Sequence, residues 1–183
     1  LLRDTAVITI VGLAQLATLS IGHLNLAVGR MAAVGAMVAG FSYERLGFGL
    51  GAGLILGIAS GALLGALTGY IIVKSQVNAF IVTLAMDFAL LGLVTFTYIS
   101  VTEAAAFTVK PEGMDTIRQG SLADICLFGW CGPSVVPLIL FPALFVLALM
   151  GFLYHQTRLG RELLATGANV RAARLSGIPV DAR

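Results

Sequence analysis

The sequence predicts an all-α fold, a polytopic transmembrane bundle of about five helices in one domain, and three observations carry that expectation. Hydrophobic residues make up 58% of the 183, charged residues only 11%, and the mean hydropathy is +0.99. A soluble domain carries roughly 25% charged residues, so this chain could not cover a surface facing water. Five apolar stretches stand out: Thr5–Gly22, Leu26–Phe41, Phe48–Val73, Ala79–Ile99 and Val135–Tyr154. A bilayer-crossing helix takes roughly 17–25 such residues. The charges left over are concentrated at one end. The tail from His155 to Arg183 holds Arg158, Arg161, Arg171, Arg174 and Arg183 against Glu162 and Asp181, a net +3.

A basic segment beside a membrane-length stretch is held in the cytoplasm. With residues 155–183 inside, Val135–Tyr154 runs inward and Ala79–Ile99 outward. Residues 100–134 then form an external loop with four acidic residues against two basic ones. Counting Lys and Arg gives seven inside (Arg30, Lys74 and the five of the tail) and four outside (Arg3, Arg45, Lys110, Arg118), as the rule asks. Arg3 before the first apolar run also suits a signal peptide, but Asp4 and the lack of a small-x-small cleavage site favour a helix. The net charge of +2 has no basic folded face behind it, which excludes a nucleic-acid binder.

The second stretch is preceded by a polar break, Ser20-Ile-Gly-His-Leu-Asn-Leu-Ala-Val-Gly29. It reads either as an interfacial turn or as a broken helix, whose freed backbone is tolerated at membrane depth only where it lines protein or a cavity. The third stretch repeats glycine every four residues: Gly49, Gly53, Gly57, Gly61, Gly65 and Gly69. At about 100° per residue these wind slowly around one face, which suits tight helix packing or a solute-lining helix. In the fourth stretch Asp87 lies near the expected midplane. A central Asp costs about 2.5–3.5 kcal/mol on insertion, so it requires a partner or water. A transport-path group and a structural hydrogen bond to a neighbouring helix both fit.

In the outer loop Cys126 and Cys131 suit either a disulfide or two thiols, and their spacing matches no metal pattern. No phosphate-binding Gly-x-x-x-x-Gly-Lys-Ser/Thr and no His-Glu-x-x-His is present. Ser60 in Gly57-Ile-Ala-Ser-Gly61 stands one place too late for a serine elbow. Nothing supports catalysis, a metal or a cofactor. In the tail, Asn169 is placed to cap a short helix over Val170–Ser176, and Gly177 stands where a left-handed residue would end it. Arg171 and Arg174 share a face of that helix, with Val170, Ala173 and Leu175 available to pack elsewhere.

The order of these segments resembles the permease subunits of bacterial ABC importers for simple sugars of the ribose, xylose and galactose type. Ser20–Gly29 is similar to the family's Gly-Ile-Asp-Leu-Ser-Val-Gly signature, and Gly61–Phe80 to its glycine-rich helix and Lys-containing loop. Ile81-Val-Thr-Leu84 matches the stretch that follows. The longest likeness is the tail, Thr157-Arg-Leu-Gly-Arg161 through Asn169 to Ile178. The resemblance implies a bacterial inner-membrane permease without catalysis or cofactor of its own. Its partners would be a second permease subunit, cytoplasmic ATPase subunits and an external solute-binding protein. The tail would be the coupling segment, with Gly167, Asn169, Ala172, Ala173, Gly177 and Ile178 at the docking face. The residues themselves, apart from the resemblance, make Asn25 and Asp87 the candidates for the transport path.

This sequence departs from the family pattern in four places. Asn25 replaces Asp and Ala27 replaces Ser in the signature, Leu91 stands where Arg is frequent, and Asp87 stands at an apolar position. Family members continue with further helices, so the chain reads as the N-terminal part of a permease or as a truncated copy. An ion-coupled secondary transporter using Asp87 is the alternative.

Overall fold

The computed structural model describes residues 2–102, 120, 126–127, 130–131 and 137–178. Among these residues the fold is helical: α1 (Leu2–Leu19), α2 (Val28–Glu44), α3 (Leu50–Ser75), α4 (Ala79–Thr97), a π-helical turn (Tyr98–Thr102), α5 (Leu140–Gln156), α6 (Arg158–Ala168) and α7 (Val170–Leu175). A two-residue antiparallel pair, β1 (Cys126–Leu127) with β2 (Trp130–Cys131), sets the backbone of Cys126 opposite that of Cys131. Whether those cysteines bond falls on side chains outside the described residues, as does most of the 100–134 loop. Each of the five apolar stretches is mostly helical over its described part. Leu2–Leu19, Leu50–Ser75 and Ala79–Ser100 are long and apolar enough to cross a membrane. The pair α5 and α6, bent by 76°, adds a fourth crossing if it is counted as one span.

The chain divides into two compact units, one of Asn25–Asp115 and the other of Leu1–Leu24 with Thr116–Arg183. In the first, α2 and α3 form an antiparallel pair closed by small residues. Gly35 meets Gly57 backbone to backbone, and the buried Tyr43 ring lies directly over Gly53. The Tyr43 hydroxyl donates to Leu50 O at 3.4 Å. Only hydrogen on the Cα at these positions allows such an approach. The α3–α4 corner is made by polar residues. Gln76 turns the chain at φ +56°, and Asn78 caps α4 by accepting from Phe80 N at 2.9 Å. Leu64 and Leu90, equally far from this corner, join one core with Ala27, Met31, Val34 and Met37. Thus α4 runs back along α3 and in the same direction as α2.

In the second unit α1 lies along α5, and the Tyr154 and Ser20 hydroxyls meet at 2.7 Å. Ser20 donates to Ala17 O, so Tyr154 is the donor in that pair. Helix α1 stops at Gly22, whose φ is +80°, with His23 N bonded to Thr18 O and Gly22 N to Leu19 O. These two bonds form the Schellman termination, which satisfies carbonyls that the helix leaves open. The Ser20–Gly29 stretch is therefore a glycine-terminated break between two separate helices. At the other end of the unit one hydroxyl ties α5 to α6. Thr157 Oγ1 donates to Leu153 O at 2.6 Å and accepts from Gly160 N at 3.1 Å.

Candidate functional site

Two groups of candidate residues lie in separate units. The first surrounds the start of α2. Asn25, half-buried, turns its Oδ1 back onto Ala27 N at 2.9 Å, and Ala27 is fully buried. A signature Asp at this place could accept the same bond, so Asn25 keeps the shape of the turn without its charge. Asp87 on α4 meets Arg30 on α2, with Nε 3.4 Å from Oδ1. The partner that a mid-helix carboxylate demands is thus a cation one helix away. Sequence reasoning placed Arg30 at the membrane surface and did not join it to Asp87. A signal was present in the paired glycines, Gly22 and Gly29, because a break between them lets the next helix begin at depth.

The position of this pair follows from topology. Arg30 is in the first turn of α2, whereas Asp87 is near the middle of α4. The two helices run the same way, so α2 begins about 9 Å further along than α4, at 1.5 Å per residue. Since α4 has membrane-crossing length, the α2 N-terminus lies within that span. The pair also opens outward: the Arg30 and Asp87 side chains are 43% and 24% exposed.

The glycines of α3 divide into two sets. A Cβ at Gly53 would run into the Tyr43 ring, and one at Gly57 would stand 2.9 Å from Gly35 O. Around Gly49, Gly61, Gly65 and Gly69 a Cβ would meet nothing within 4 Å. Only part of the repeat is therefore used against α2.

The second group is the tail. Asn169 Oδ1 accepts from Arg171 N at 3.0 Å and Ala172 N at 3.1 Å, which caps α7. Gly177, at φ +82°, ends the helix, with Ile178 N bonded to Ala173 O and Gly177 N to Arg174 O. Ala173 is buried, and Gly167 presses α6 against the backbone of Ser20 and Ile21. Five of the six tail candidates thus shape α7 or hold it to its own unit, and Ala172 is the exposed one whose side chain does neither. What the helix presents outward is different. Leu175 is 90% exposed and lies about 200° around from Ala173, with Arg171 beside it and Arg174 on the flank. Sequence reasoning identified the arginines but left Leu175 as a packing residue. It also missed α6, an amphipathic helix with Gly160 and Thr166 buried.

Among the described residues no cluster of His, Cys, Asp or Glu is arranged to hold a metal. Two features remain, a partly exposed charged pair part-way along a helix of membrane-crossing length and a capped helix presenting Leu and Arg.

The chain is similar to curated transport proteins along nearly all its length. The ribose import permease protein RbsC of Escherichia coli (strain K12) is 33% identical over 172 residues, covering 89% of this chain and 45% of that protein. The L-arabinose ABC transporter permease protein AraH of Azospirillum brasilense is 27% identical over 183 residues, covering 98% of this chain and 48% of that protein. The L-arabinose transport system permease protein AraH of Escherichia coli (strain K12) is 31% identical over 112 residues, covering 61% of this chain and 30% of that protein. The chain spans about half the length of the first two relatives. No solved structure matches it. The family described as "Branched-chain amino acid transport system / permease component" matches over residues 1–182, and the chain belongs to that family of membrane permeases.

Proposed function

We propose that this chain belongs to the transmembrane subunit of an ATP-binding-cassette importer for a monosaccharide, driven by ATPase subunits on separate chains. The observation that carries this is the likeness to ribose and L-arabinose permeases from one end of the chain to the other. In this reading the tail lies in the cytoplasm of a bacterium and residues 100–134 face outward, where a solute-binding protein delivers sugar. Helix α7 is the ATPase contact, through Leu175, Arg171 and Arg174. Asn169, Gly177 and Ile178 fix its ends, while Gly167 and Ala173 seat it. A second permease subunit completes the pathway. Asp87, with Arg30, borders the solute path, and Asn25 shapes the break that brings Arg30 to that depth.

The test is uptake into right-side-out membrane vesicles carrying the full permease with its ATPase and binding protein. Labelled D-ribose or L-arabinose should accumulate only in vesicles loaded with ATP, and a protonophore should leave the rate unchanged. Accumulation driven by membrane potential without ATP would replace this reading by an ion-coupled one. Accumulation of leucine in preference to either sugar would move the substrate to the amino acids named in the family's description.

A further inference from the structure

We infer that the Arg30–Asp87 pair is a solute subsite that takes the hydroxyl groups of a neutral polyol. This rests on the importer reading above. It adds, to the placement of Asp87 and Arg30 beside the solute path, direct contact with the sugar and the chemistry by which they make it.

The geometry of the pair is that of an open site. The recorded contact is Nε to Oδ1 at 3.4 Å, longer than the ~2.7–2.9 Å of a tight charge-assisted bond. A guanidinium has five N–H donors and a carboxylate about four acceptor positions, so the pairing leaves capacity on both members. Both side chains remain partly exposed at the surface of their unit. The pair stands part-way along a helix of membrane-crossing length, where charges facing lipid are costly and charges facing a path are the rule. Its open side therefore faces a polar route or another protein surface.

Charge and hydrogen-bonding capacity favour a neutral polyol over a singly charged ion in that place. The two charges cancel, so an ion carrying one sign of charge alone would meet repulsion from one member. A sugar hydroxyl both donates and accepts. Adjacent hydroxyls can donate to Asp87 and accept from Arg30 together, with no net charge moved. Met31 and Met86 adjoin the pair in sequence and Leu90 lies one turn after Asp87, all three in the apolar core of this unit. Asn25 is less suited to the task, because its Oδ1 is turned onto the Ala27 amide.

The experiment uses the full permease with its ATPase and binding protein in proteoliposomes, with labelled D-ribose as the probe. Asp87→Asn and Arg30→Gln should each lower uptake at least tenfold, while ATP hydrolysis stays within twofold and the complex remains assembled. The double exchange Arg30→Asp with Asp87→Arg should restore the melting temperature of the permease but leave uptake low. Restoration of uptake by the double exchange would overturn the subsite and leave a structural ion pair between helices. So would single variants that carry sugar at the unaltered rate per folded complex. Failure of the unsubstituted complex to carry any sugar with ATP would remove the importer reading itself, and the subsite with it.

Discussion

Gly35 and Gly57 touch through their main chains: a Cβ on Gly57 would stand 2.9 Å from Gly35 O, and one on Gly35 would stand 3.0 Å from Gly57 O. An alanine at Gly57 therefore pushes α2 from α3, whereas one at Gly65 meets open space. Overpacking of this kind costs about 1–3 kcal/mol, while Gly to Ala in an unobstructed helix gains up to ~1 kcal/mol. Gly57→Ala should lower the melting temperature in detergent, followed by size exclusion after heating. Gly65→Ala should leave it equal or higher. The reverse order would show that the repeat packs through its other half.

The tail helix depends on its ends, since six residues make too few internal bonds to persist alone. Asn169→Ala removes the acceptor for two amides and should cost about 1 kcal/mol of local stability. That corresponds to roughly fivefold faster amide exchange across residues 170–176, read by hydrogen-exchange mass spectrometry. Asn169→Ser should preserve much of the protection. Exchange that is unchanged in the Ala variant would mean that contacts elsewhere hold α7.

Leu175 is apolar, almost fully exposed and flanked by arginines, a combination suited to a docking surface, where an apolar anchor is desolvated and Arg is enriched. On the importer reading proposed above, Leu175→Asp should reduce copurification of the ATPase at least tenfold without changing the amount of permease in the membrane. Arg171→Ala, beside it, should weaken copurification less and make it less sensitive to salt, because a screened charge has been removed. Full retention of the ATPase by the Asp variant would place the contact on another surface.

Helix positions were legible because composition and charge act at short range along the chain. Asn169 and Gly177 announced the ends of α7, and the apolar stretches announced α1 to α5. Less legible was anything set by which helices meet. The glycine repeat of α3 looked uniform, yet only Gly53 and Gly57 contact α2, because Tyr43 and Gly35 face them. Asp87 announced its need for a partner but not its identity, since Arg30 is 57 positions away and adjacent only after two helix reversals. The tail arginines drew attention to charge, and α6 was overlooked because Thr157 breaks the pattern between two helices. The division into two units was equally hidden, for it joins Leu1–Leu24 to a segment from the far end of the chain.

The bend at Thr157 gives α6 the properties of a crank. Its 11 residues extend about 16 Å from the Thr157 hydroxyl, and at the far end Gly167 bears on the turn that closes α1. Helix α6 thus meets the rest of its unit at two places, the end of α5 and the end of α1. A swing of about 10° displaces the crank tip by about 3 Å over that length.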